Sequence, residues 1–266
     1  MPVVHVTILE KLYRDGGAEE SLLTQVRQLL SDLEVRIEEV KKNFRSWATL
    51  KLRGPDAEEA AERLIEEFDT VRSLFDLVPG DVIYGKIIDL YKVGYGVYVD
   101  IGVVGPKVVD ALIPLYRLRE QLLDGEKASV RDIGRSFGFV ENLPLEVEIV
   151  EVDEEKGEIE AKLTDEQVEY LLEMAADPYD RMIVSGITRK RLQRALNKAG
   201  FGRRVIRIER WGLLENEVVL DEDTDAPGVL HRVGPYLGGT EIELVYDDKF
   251  LERIGFIPSP EGPILE

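Results

Sequence analysis

From Val78 to Leu163 the chain is written largely in period-two alternation punctuated by glycine, and this pattern leaves few folds open. The stretch PGDVIYGKIIDLYKVGYGVYVDIG alternates apolar and polar residues over two strands, with glycines where strands coil or bend. Residues 108–113 (VVDALI), 145–152 (LEVEIVEV) and 158–163 (EIEAKL) add three more short strands, with a hairpin turn at Asp153-Glu154-Glu155-Lys156-Gly157. Five short strands at this spacing predict a small closed barrel. Residues 115–143 interrupt it with a segment too long for a plain loop, predicted to hold a helix at 115–123. Within it Arg117, Arg119, Lys127, Arg131 and Arg135, with Phe137 and Phe139, are candidates to extend a binding face, and a helix capping the barrel is the other reading.

The order GDVIYGKI at 80–87, YGVYVD at 95–100, ALIP at 111–114 and EVEIVEVDEEKGEI at 146–159 resembles the S1-type RNA-binding OB fold. The resemblance implies that Tyr95 and Tyr98, at the positions of two base-stacking aromatics on the second strand, contact RNA. Stacking of a base on an aromatic contributes about 1–3 kcal/mol and tolerates any sequence. The match departs at Asp110 and Ala111, where basic or histidine positions are usual. The segment 79–163 also holds 17 acids against 10 bases. The competing reading is a barrel used for protein contact, with both tyrosines packed.

The flanking segments have mixed patterns. Residues 1–77 read as β-α-β-β-α: a β-branched strand at 3–9, a turn at Asp15-Gly16-Gly17, and a helix with Leu22, Leu23, Val26, Leu29 and Leu30 at helical spacing. Strands at 33–40 and 46–52 follow, then a helix entered through Pro55, and a last strand is expected at 71–75. This predicts a ferredoxin-like unit. Residues 164–266 open with a helix capped by Thr164, then give strand 181–185, helix 188–199, strands 203–210 and 216–221, helix 227–237 and strand 241–246. A second ferredoxin-like unit or a winged helix fits that order. The expected class is therefore α+β in three domains, 1–77, 78–163 and 164–266.

Charge supplies the second signal. The chain of 266 residues carries a formal charge of -19, which excludes a uniformly basic nucleic-acid coat. Yet Arg181 to Arg210 contains ten bases against Glu209 alone. On the expected helix Arg191, Arg194 and Lys198 share one face and Leu192, Leu196 and Ala199 the other. With Arg189 and Lys190, and with Arg203 and Arg207 on the following strand, they form a candidate phosphate-binding surface. The alternative is pairing with the protein's own acids, such as those at 221–225.

The absence of cysteine, with His5 and His231 as the only histidines, excludes thiolate chemistry and multi-histidine metal centres. Asp221, Asp223 and Asp225 lack the spacing of a calcium loop, and Asp225 is better placed as a helix cap. No phosphate-cradling or nucleophile-elbow motif is found, so neither an enzyme nor a cofactor is expected, and no membrane span is expected. With no signal-peptide layout at the N-terminus either, a cytoplasmic protein is expected, and few Asn and Gln among many Lys, Arg and Glu point to heat adaptation. GITRKRLQRAL at 186–196, ERWGLLE at 209–215 and TDAPG at 224–228 resemble an archaeal domain-of-unknown-function family, DUF2110-like, which implies an archaeal source and no activity. The function expected is a non-catalytic RNA-binding protein of translation, ribosome or RNA-processing assemblies. An acidic adaptor docking on a basic protein is the alternative.

Overall fold

The computed structural model describes residues 1–13, 17–245, 249–259 and 264–265. The N-terminal unit is built from β1 (Val3–Lys11), α1 (Ala18–Leu29), β2 (Arg36–Lys42), β3 (Trp47–Arg53) and α2 (Ala57–Phe68). β3 lies between β1 and β2, antiparallel to both. Alternation puts Ala48, Leu50 and Leu52 on one face of β3, where they meet Leu22 and Val26 of α1 and Ala60 and Leu64 of α2 in one core. Both helices carry two glutamates in the first turn, matching the positive end of the helix dipole. Asp15 and Gly16 of the expected turn lie outside the described residues.

The strand expected at 71–75 does not complete this sheet. Only Arg72–Ser73 is extended (β4), and it pairs in parallel with the barrel, while a single bridge from Thr70 to Ile8 touches β1. The chain is drawn away because Leu74 and Leu77 are buried in the barrel's core, just past a Ser73 capping box.

The barrel comprises β5 (Val82–Ile88), β6 (Gly96–Gly105), β7 (Val109–Pro114), β8 (Pro144–Asp153) and β9 (Glu158–Leu163). β5 pairs with β6, β6 with β7, β7 in parallel with β9, β9 with β8 and β8 with β5, so five strands close in the OB-like manner. Gly96 is required by closure, since a Cβ there would stand 2.4 Å from the carbonyl oxygen of Ile113. The insertion forms α3 (Leu115–Leu123) and α4 (Val130–Ser136). Phe137 and Phe139 are fully buried with Leu118, Leu122 and Ile133, so of the two readings of this segment the cap on the barrel holds for them and the binding face does not. Arg117 is held by Glu160 and Arg119 by the Ala128 carbonyl.

After α5 (Asp165–Ala176), whose N-cap Thr164 accepts from the Gln167 N–H as expected, comes the C-terminal unit. Its elements are β10 (Arg181–Ser185), α6 (Arg189–Lys198), β11 (Val205–Arg210), β12 (Glu215–Leu220), α7 (Ala226–Val233) and β13 (Glu241–Val245). Helix α7 ends earlier than expected because Gly234–Tyr236 tightens into a 3-10 turn. The sheet is antiparallel in the order β11-β12-β10-β13. α6 and α7 cover the face of Met182, Val184, Val218 and Leu220, whereas Ile183 on the other face enters the barrel's core cluster. A short helix α8 (Lys249–Ile254) and the two-residue strands β14 (Phe256–Ile257) and β15 (Ile264–Leu265) follow.

The three units are locked together. The turn between β11 and β12 inserts Leu213 and Leu214 into the N-terminal core, each burial contributing about 1.5–3 kcal/mol. Beside it, Lys86 of the barrel lies between Glu215 of the C-terminal unit at 3.0 Å and Glu10 of the N-terminal unit at 3.3 Å. Tyr13 donates to Glu215 and meets the Ser185 hydroxyl at 2.9 Å. None of the described helices is long and apolar enough to cross a membrane.

Candidate nucleic-acid interface

Helix α6 forms because its apolar residues fall on one stripe. Leu192, Ala195 and Leu196 are buried against the sheet, and Arg189, Lys190, Arg191, Arg194 and Lys198 are left exposed. Lys198 lies over the Tyr236 ring at 4.7 Å. Next to α6, β11 presents Arg207 and Arg210 outward, and Arg203 is exposed in the turn just before that strand, where a strand position was expected.

The segment's ten bases are not equivalent. Arg181 is buried and bound to Glu217 and Asp177, so it belongs to the interior. Arg204 reaches Asp221 at 3.3 Å and Asp223 at 3.6 Å, the internal pairing weighed as an alternative. Arg207 holds its neighbour Glu209 at 2.9 Å. Arg189, Lys190, Arg194, Arg203 and Arg210 have no carboxylate partner among the described residues. Asp225 accepts from the Gly228 N–H as the cap of α7, and no cluster suited to a metal ion occurs among the described residues.

The basic wall borders a cleft of about 1550 Å³ between the three units. One side is α6 and β11; α1 supplies Ser21, Thr24 and Gln25, the barrel supplies Tyr84 and Glu146, and α5 supplies Gln167 and Tyr170. Six basic and four acidic side chains line it, a local excess of positive charge in a strongly acidic chain. Tyr84 is 58% exposed, and burial together with Glu146 raises its phenol above the usual range. Trp211 closes the end, edge-on to Tyr170 at 5.4 Å. A positively charged groove with aromatic rings along it is the arrangement by which single-stranded nucleic acids are bound.

Tyr95 and Tyr98 lie elsewhere on the barrel and do not line this cleft. Their rings meet edge-on at 6.3 Å with hydroxyls 2.9 Å apart. The Tyr95 hydrogen bond, with partial burial, pushes the Tyr98 phenol up to about 12. Tyr95 is 55% exposed, so stacking is sterically open. Two residues further along the same face of β6, however, Asp100 is buried under Lys11 and Arg45, and Arg45 also binds Asp110 of β7. The N-terminal unit thus roofs the far half of the β6–β7 face. Asp110, which replaces a basic residue of the S1 pattern, serves that interface, and burial raises its carboxyl despite Arg45. Ala111 is buried in the barrel.

The sequence reading missed Tyr84, Trp211 and the cleft itself. Tyr84 carried a signal, an aromatic at an outward position of the alternating β5. The cleft carried none, because it exists only where three units meet.

Three family models match in succession: the DUF2110 N-terminal domain over residues 5–74, the DUF2110 central domain over 77–175 and the DUF2110 C-terminal domain over 179–245. No curated protein matches the chain. Among solved structures it is similar to GSP13 from Bacillus subtilis, at 24% identity and a TM-score of 0.24 over 33% of this chain. It spans about half, 55%, of that protein. It is also similar to the a/eIF2alpha-aDim2p-rRNA complex from Pyrococcus horikoshii OT3, at 17% identity, a TM-score of 0.26, 47% of this chain and 64% of that one. A further likeness is to the intact alpha subunit of aIF2 from Pyrococcus abyssi, at 12% identity, a TM-score of 0.23, 65% of this chain and 98% of that one.

Proposed function

The chain belongs to the DUF2110 family along nearly its whole length, and on that premise we propose that its three units act together as one non-catalytic RNA-binding protein. The proposal takes the barrel as S1-like, the outer units as ferredoxin-like, and the source as archaeal and heat-adapted, with work in the cytoplasm on RNA of translation, ribosome or processing assemblies. The observation that carries it is the cleft, which the exposed arginines of α6 and β11 and Lys190 line together with the exposed ring of Tyr84. Phosphates would lie along Arg189, Lys190, Arg191, Arg194 and Arg207, with Lys198 and Arg203 at the far end of the same helix and in the turn before β11. A base would stack on Tyr84. Tyr95 and Tyr98 offer a second stacking point outside the cleft, for a strand continuing round the barrel. Local positive charge overcomes the repulsion of a -19 chain only at short range, so affinity should fall steeply with salt.

The test is binding of single-stranded RNA across a salt series by wild type, Lys190→Glu/Arg194→Glu and Tyr95→Ala/Tyr98→Ala. Weakening in the α6 variant with a shallower salt slope supports the cleft. Absence of wild-type binding to any RNA at low salt sinks the proposal.

A second reading has its own observation. On α2 the glutamates Glu58, Glu59, Glu62, Glu66 and Glu67 are all exposed, together with Ile65, on a face remote from α6 in the chain. Such a face suits a basic protein partner, and it is compatible with RNA in the cleft.

A further inference from the structure

The start of α6 combines a basic first turn with a cap side chain that makes no bond to its helix. Its first turn holds Arg189, Lys190 and Arg191 and no acid, so positive side chains crowd the positive end of the helix dipole. α1, α2 and α5 each place two acids there. The second feature is at the cap. Thr164 and Asp225 each accept from a backbone N–H of their own helix, yet Thr188, the cap of α6, makes no such bond. Thr188 is only 8% exposed, its hydroxyl makes no hydrogen bond among the described residues, and it lines the cleft. A threonine in the cap position is well placed to satisfy a helix start, and here its hydroxyl is left open to a partner in the cleft.

The backbone completes the arrangement. The N–H groups of Arg191 and Leu192 both donate to the Thr188 carbonyl at 3.0 Å. Those of Arg189 and Lys190 have no acceptor among the described residues. Two N–H donors without an acceptor, one hydroxyl open to the cleft and two exposed cationic side chains therefore belong to three consecutive residues of the cleft wall. The acids of the cleft, Glu20, Glu146, Glu166 and Glu209, come from α1, the barrel, α5 and β11, and none lies in the first turn of α6.

We infer that Thr188 and the first turn of α6 form a phosphate-binding site, with the Thr188 hydroxyl and the Arg189 and Lys190 N–H groups donating to the phosphate oxygens. The inference deepens the RNA reading by fixing the one phosphate that sets the register of the strand in the cleft. The ligand chemistry is a phosphate oxyanion, either a terminal phosphomonoester or an internal phosphodiester.

Two substitutions probe the donors without disturbing the fold. Thr188→Val removes a hydroxyl that makes no bond in the helix. Arg189→Pro removes an N–H at the first helical position, where proline is tolerated, and Thr188 already has the extended ψ of 147 that a residue before proline needs. Inorganic phosphate is titrated into the full chain at constant ionic strength, with chloride as reference, and binding is followed by amide chemical shifts and by melting temperature. Wild type is expected to bind, with shifts centred on residues 188–190, and each variant to lose at least tenfold in affinity while keeping the wild-type melting temperature in chloride. Equal phosphate binding by wild type and both variants overturns the site.

Oligonucleotides then separate the site from the RNA reading. Phosphate binding without RNA binding keeps the site and discards RNA. RNA binding that is indifferent to Arg189→Pro and is not competed by phosphate discards the site and keeps RNA. Preference for a 5′-phosphorylated over a 5′-hydroxyl oligonucleotide assigns the site to a terminal phosphate, and equal affinity for the two, with both weakened by the variants, assigns it to an internal one.

Discussion

The seam around Lys86 and the wall around α6 are both crowded with ionisable side chains, and they differ in what satisfies them. At the seam one ammonium, removed from water, is shared by carboxylates from the two neighbouring units, and Glu10 and Glu215 hold it above its usual range against the opposing effect of burial. Along the wall, Arg189, Lys190 and Arg194 stand in solvent with no carboxylate partner among the described residues. Buried charge shared across units positions them relative to one another; unpaired charge beside a cleft is available to a ligand. Each of the following substitutions tries to break that distinction.

The largest effect is expected from Lys86→Met, which leaves Glu10 and Glu215 facing each other without a cation. Removing one member of a buried ion pair destabilises by about 3–5 kcal/mol, read by urea unfolding. A loss below about 1 kcal/mol would show that the seam is more hydrated than its geometry indicates. Lys190→Glu on the wall, by contrast, should change stability by no more than about 0.5 kcal/mol.

Tyr84→Ala is next. It should weaken single-stranded RNA by about 1–3 kcal/mol if a base stacks there, measured by anisotropy at fixed salt. The same measurement on Tyr95→Ala/Tyr98→Ala sharpens the contrast between the two aromatic sites. A smaller loss than in Tyr84→Ala is expected, because the N-terminal unit covers the rest of that face.

The smallest effect belongs to Glu10. Burial pushes its carboxyl up, against the pull of Lys86 and with help from Glu215. The folded state therefore favours the protonated acid. That contribution to stability is complete below the unfolded value of about 4.3 and is lost as pH rises through the raised folded one. Glu10→Gln, which mimics the protonated form, should raise the melting temperature at neutral pH and converge with wild type near pH 4. An equal difference at both pH values would contradict this origin.

Much of the fold was legible because periodicity encodes it. The five barrel strands, α1, α2, α5 and α6 fall where apolar spacing puts them. Periodicity does not say what covers an outward position. Lys86 follows Val82 and Tyr84 on the outward side of β5, and all three read alike in sequence, yet Lys86 is 4% exposed while Tyr84 is 58% exposed. Arg181 reads like Arg207 until the pairing of β10 with β12 sets it beside Glu217. Phe137 and Phe139 looked like an aromatic face because a loop has no period to mark its inner side. Of the candidate site, the basic helix was visible from charge segregation alone. Thr188 was legible as a helix start, but the sequence does not say that its hydroxyl makes no bond to the helix and lines a cleft.

The central claim is that RNA phosphates lie on the exposed face of α6, and the salt dependence of binding tests it most directly. For a single-stranded RNA, the slope of log affinity against log salt should be shallower by about 1.4 in Lys190→Glu/Arg194→Glu than in wild type, two phosphate contacts at about 0.7 each. An unchanged slope and affinity in that variant would contradict the account.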